Sequence, residues 1–109
     1  MFFTKRKKID SWLNAAAPSP FSELLSQQRS GQMQVQLEAL GLTKQEYHID
    51  WLEDYKCISL QGRYGKRYVD IQIEPDAFTI AVDEDEPDES AEFPLTSAEG
   101  FYRVVRQYL

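Results

Sequence analysis

The run Gln61-Gly62-Arg63-Tyr64-Gly65-Lys66-Arg67-Tyr68-Val69-Asp70-Ile71-Gln72-Ile73-Glu74 decides the fold. From Arg67 to Glu74, apolar Val69, Ile71 and Ile73 alternate with Tyr68, Asp70, Gln72 and Glu74, the period-two pattern of a strand with one buried face. Before it, Gly62-Arg63-Tyr64-Gly65 supplies two glycines that tolerate the positive φ values of a tight reversal. The pair predicts a hairpin whose first strand runs from Tyr55 to Gln61, with Ile58 and Leu60 on one face. After it, Pro75-Asp76 turns the chain, and Phe78, Ile80 and Val82 alternate once more. Three strands joined by such short turns form an antiparallel meander.

Working outward, Tyr47, Ile49 and Trp51 alternate with His48, Asp50 and Leu52 and predict a further strand behind the break at Gly41-Leu42-Thr43-Lys44. The segment Gln32 to Leu40 carries two patterns. Met33, Val35, Leu37 and Ala39 alternate with polar partners as in a strand, whereas Met33, Leu37 and Leu40 also share one helical face. Composition rich in Gln, Glu, Leu, Met and Ala favours a helix. The unbroken alternation is given more weight, so the segment is predicted to be a strand.

Helices are predicted at both ends. Ile9, Trp12, Leu13 and Ala16 recur at helical spacing, and Pro18 and Pro20 separate this short element from a second one. That second helix is expected to take Ser22 as its N-cap and to stop at Ser30-Gly31. Near the other terminus, Glu92-Phe93-Pro94-Leu95 reads as a short extended piece that Pro94 confines to an edge or to a non-strand role. Thr96 or Ser97 then caps a helix whose stripe is Phe101, Val104, Val105 and Tyr108, with Arg103 and Arg106 facing away. The predicted class is α+β: an antiparallel meander of four to five strands, one or two N-terminal helices, and a C-terminal helix packed on the sheet.

At 109 residues, 42% of them hydrophobic and 13% aromatic, the chain has material for one modest core, so residues 1–109 are expected to form a single domain. Cys57 is the only cysteine, which excludes an internal disulfide and any Cys-based zinc spacing. Residues 1–8 read as a flexible basic N-terminus. The run Lys5-Arg6-Lys7-Lys8 is not followed by an apolar stretch of secretory length, so neither a signal peptide nor a membrane span is expected, and the cytoplasm is the expected compartment.

Charge is the most informative functional feature. Of 18 acidic residues, seven fall between positions 83 and 92: Asp83, Glu84, Asp85, Glu86, Asp88, Glu89 and Glu92. Without them the formal net charge of −6 becomes +1. Such a block resists regular structure and either serves only to be solvated or steers a basic partner at long range. It lacks the glycine and the distal glutamate of an EF-hand calcium loop, so no metal is assigned to it. The neighbouring Tyr55 and Tyr68, expected on the face opposite Ile58 and Val69, complete a candidate partner-binding surface with Asp83, Glu84, Asp85, Glu86, Asp88 and Glu89.

A second cluster, Arg63, Tyr64, Lys66 and Arg67, with Tyr64 and Tyr68 interleaved among its three cations, is the alternative candidate for nucleic-acid contact or for a small enzyme site. A sequence pI near 4.7 opposes general phosphate binding, which disfavours that alternative. His48 and Cys57 are single, and no glycine-rich phosphate loop, nucleophile elbow or metal-ligand spacing is present. No catalytic residue and no cofactor are therefore assigned.

In profile, though by no quotable motif, the chain resembles the small acidic immunity proteins that bacteria keep in the cytoplasm against nuclease toxins. That resemblance implies a non-enzymatic inhibitor of a basic partner. It carries no residue across. The remaining alternative is a domain whose acidic loop is only solvated.

Overall fold

The computed structural model describes residues 19–82 and 90–109. The elements predicted within Ile9 to Ala16, the basic run at Lys5 to Lys8, and Asp83 to Glu89 lie outside the described residues. Helices α1 (Pro20–Ser30) and α2 (Gln32–Leu40) lead into strands β1 (Leu42–Leu52), β2 (Cys57–Tyr64), β3 (Arg67–Ile73), β4 (Ala77–Val82) and β5 (Ala91–Pro94). Helix α3 (Ala98–Tyr108) closes the chain. The sheet is fully antiparallel, with order β1-β2-β3-β4-β5, as expected of a meander.

The three helices among the described residues lie on one face of the sheet. Ile58, Leu60, Val69, Ile71, Ile73 and Ile80 are completely buried there, together with Phe78, Leu24, Met33, Leu37, Phe101 and Val105. Phe101 of α3 meets Phe78 of β4 edge-on, with centroids 4.9 Å apart, and Tyr108 meets Phe93 of β5 at 6.0 Å. Phe21 of α1 covers Trp51 of β1 at 5.9 Å. Burying each large side chain of this set contributes roughly 1.5–3 kcal/mol.

The segment 32–40 is a helix, which corrects the strand prediction. Its apparent alternation is not used: Met33 and Leu37, four residues apart, are fully buried, whereas Val35 is 65% exposed. Gly31 explains why a helix starts afresh there. Its φ of +84° ends α1 and reorients the chain, so that α2 lays its Met33 and Leu37 side on the core. The fifth strand comes instead from Ala91–Pro94, which pairs with β4 through Phe78 and Phe93. Pro94 is tolerated because this strand is an edge.

Smaller corrections follow from turn chemistry. The N-cap of α1 is Ser19, whose hydroxyl accepts from the Ser22 N–H at 3.1 Å, with Pro20 at the first helical position where no amide hydrogen is required. Of the two caps expected for α3, Ser97 is the one used, accepting from the Gly100 N–H at 2.8 Å. The hairpin between β2 and β3 is tighter than predicted. Only Gly65-Lys66 turns, and Gly62 is a strand residue opposite Val69. Its glycine serves close packing: a Cβ there would lie 2.7 Å from Leu42 Cδ1 and 2.8 Å from Tyr47 Cβ. Those two residues flank the irregular stretch at which the register of β1 shifts, with Gln45 at φ 68°.

The helical assignment of residues 32–40 separates two substitutions that a strand would make equivalent. Leu37→Ala should cost about 2–5 kcal/mol and Val35→Ala less than about 0.5 kcal/mol in urea unfolding, since only the first empties a core position. Comparable losses at both positions would restore the strand reading.

Candidate functional site

Because strand side chains alternate, the face away from the helices is set by the same register that builds the core. Cross-strand pairing places Asp50, Ser59, Gln72, Thr79 and Glu92 in one row across all five strands, spanning about 19 Å at the usual strand spacing. The adjacent row is His48, Gln61, Asp70 and Ala81, followed by Arg63 and Tyr68. These residues are exposed or half-buried, several are small, and none of the described helices covers them, so this side is called the open face.

Charge is segregated between the two sides. Among the described residues, the three helices balance Glu23, Glu38 and Glu99 against Arg29, Arg103 and Arg106. Among the described residues, the open face carries Asp50, Asp70, Glu74, Glu92 and Glu46 against the single guanidinium of Arg63. Arg63 Nε lies 3.3 Å from Glu46 Oε1, an exposed pair worth little to stability. Asp70, on the central strand, has an Oδ1 atom shut off from solvent and with no hydrogen-bond donor.

The acidic run joins β4 to β5, leaving the sheet after Val82 and returning at Ser90. Val82 pairs with Val69, so the run leaves at the same end of the sheet as the β2–β3 hairpin, which carries Arg63, Lys66, Arg67 and Tyr68. Asp83, Glu84, Asp85, Glu86, Asp88 and Glu89 themselves lie outside the described residues.

The predicted aromatic partners separate. Tyr68 lies half-buried on the open face beside Arg63 and near that end. Tyr55 is 77% exposed but sits in the turn between β1 and β2, not in a strand. This turn is at the opposite end of the sheet, about 17 Å away over the length of β4. The turn is organised by Glu53, which accepts from Lys56 Nζ at 2.6 Å and Trp51 Nε1 at 2.8 Å. Those two donors, the lysine first, hold its carboxyl below the usual range.

Tyr64 is withdrawn from the basic cluster. It is only 8% exposed on the core face, and burial, with a smaller effect from Tyr102, raises its hydroxyl far above the ordinary tyrosine value. A buried ring cannot stack on a base. Arg63, Lys66 and Arg67 remain at the surface, and Arg67 Nη1 reaches the Leu109 carbonyl at 3.4 Å. On the helical side, shallow cavities of about 280 and 240 Å³ share Glu99 and Tyr102, but the Tyr102 hydroxyl already donates to Gln27 Oε1 at 2.6 Å.

The carboxylates of the open face were present in the sequence as the polar members of each alternation. Their assembly was not legible, because it depends on which strands pair and in what register. Cys57 is 4% exposed, and burial, with Glu74 adding to it, pushes its thiol above the ordinary value. A raised pKa leaves less thiolate at any pH below it, and the thiolate is the reactive form. Native protein at pH 8 should therefore react with an aromatic disulfide reagent at least about tenfold more slowly than the urea-unfolded chain, in a stopped-flow absorbance assay. Equal rates would show an accessible, ordinary thiol. No family model, no curated protein and no solved structure matches this chain, so its surface chemistry alone must carry a functional reading.

Proposed function

We propose that the protein is a binding module for a basic protein partner, engaged through the acidic run and the open sheet face together. The observation that carries this reading is the charge segregation. Five carboxylates oppose one guanidinium on the open face, while the helical side is balanced. Asp83, Glu84, Asp85, Glu86, Asp88 and Glu89 continue that sign in the connection between the two strands at the sheet's edge. A large field of one sign steers encounter, and an open polar face with Tyr68 beside it supplies area for close contact.

Tyr55 belongs to this surface only if the partner spans the sheet from end to end. An inhibitor of a basic enzyme, of the kind an immunity protein represents, would use such a surface, with the partner's own cationic substrate-binding groove as the complement. The nucleic-acid alternative loses Tyr64 to the core and keeps only the half-buried Tyr68, and the net sign of the open face opposes it. The source cytoplasm is the compartment in which the partner is sought.

Affinity capture from source cells at 50 and 300 mM salt tests the reading. Proteins of high pI should be enriched at low salt, and their recovery should fall about tenfold or more at high salt, where the screening length shrinks. The triple variant Asp83→Asn, Asp85→Asn, Asp88→Asn should lose most of the recovery at low salt. Capture indifferent to both changes contradicts a charge-steered partner.

A further inference from the structure

We infer that Asp70 is the anchor point of the open face and receives an arginine of the basic partner. The inference rests on the proposed capture of a basic protein and specifies where and how that protein is held. Three observations meet at this residue. Asp70 lies on β3, the middle strand of five, and so at the centre of the face. Its Oδ1 is shielded from water yet accepts no hydrogen bond, an unsatisfied state that folded proteins rarely keep without a use. Its two cross-strand neighbours leave room: Ala81 has no side chain beyond Cβ, and Gln61 is exposed. Asp70 as a whole is half-buried and not buried, and surface side chains change rotamer within nanoseconds, so its carboxylate can turn toward an incoming donor.

The chemistry of the carboxylate selects the donor. A carboxylate only accepts, and its two oxygens lie in one plane. A guanidinium presents two parallel N–H groups in a matching plane, whereas an ammonium acts as a compact point charge. Arg63 is a poor internal substitute, since its Nε is directed to Glu46 at 3.3 Å. Asp50 and Glu92 at the two edges of the neighbouring row then flank the anchored segment with further negative charge. Ser59 and Thr79, between them, are small enough for a backbone to approach.

The test uses nona-arginine and nona-lysine peptides as probes, titrated into the full chain and followed by calorimetry and by backbone amide NMR shifts. Nona-arginine should bind more tightly than nona-lysine and should shift the amides of Gln61, Asp70 and Ala81. Asp70→Asn, which keeps shape and removes charge, should weaken nona-arginine at least fivefold and nona-lysine no more than twofold. Ala81→Lys, which sets a cation beside Asp70, should weaken nona-arginine equally and guards against a fold defect in the first variant; an unchanged dispersion of amide signals certifies the fold of each. If nona-arginine binds but neither variant weakens it and the shifts avoid β2 to β4, the anchor is wrong while the acidic module stands. If neither peptide binds the unaltered protein at 50 mM salt, the binding reading fails and the anchor with it.

Discussion

The structure depends on the burial of one face of its sheet. Ile58, Leu60, Val69, Ile71, Ile73, Phe78 and Ile80 disappear from solvent beneath α1, α2 and α3. Side chains alternate along every strand, so a slip of one residue would exchange this apolar set for Ser59, Asp70, Gln72 and Thr79. The hydrophobic face therefore fixes register, and register fixes which residues meet on the other face. Phe101 against Phe78 and Phe21 against Trp51 hold the helices to the two halves of the sheet. Gly62 maintains the fit where β1 changes register, because any side chain would press on Leu42 and Tyr47.

The functional surface follows from that packing. With helices on one side and their charges balanced, the carboxylates accumulate on the open side and along the β4–β5 connection. The two charged segments of the chain are thereby arranged differently from what their positions along the sequence suggest. The basic hairpin and Val82, where the chain leaves β4, share one end of the sheet, although Arg67 and Val82 are separated by two strands' worth of chain. Tyr55, much closer to the hairpin in sequence than the acidic run is, sits at the far end. A partner that met both the acidic run and Tyr55 would have to cover the length of the strands.

The meander was legible in the sequence because its strands alternate cleanly between Val69, Ile71 and Ile73 and their polar neighbours, and because Pro75-Asp76 and Gly65 mark the turns. Residues 32–40 misled because the two fully buried positions, Met33 and Leu37, are four apart, a spacing that suits period two as well as a helical face; only Leu40, which also packs against the core, separates the two. Helix-forming composition and the glycines at 31 and 41 outweighed the alternation. Tyr64 misled for a related reason: its place between two glycines resembled a turn, whereas Gly62 continues the strand and leaves Tyr64 on the core side. The acidic face was beyond reach of the sequence, since Asp50, Asp70 and Glu92, on β1, β3 and β5, come to one face only through the exact register of four successive strand pairings.

The one-sided sheet is open to direct measurement with a soluble paramagnetic relaxation agent and methyl-resolved NMR. The methyl groups of Thr79, Ala77 and Ala81 should broaden strongly as the agent is added, while those of Ile80 on the same strand and of Val69 and Ile71 on its neighbour β3 remain sharp. Equal protection of both sets would mean that the second face is covered in solution, and would contradict an acidic surface free to receive a partner.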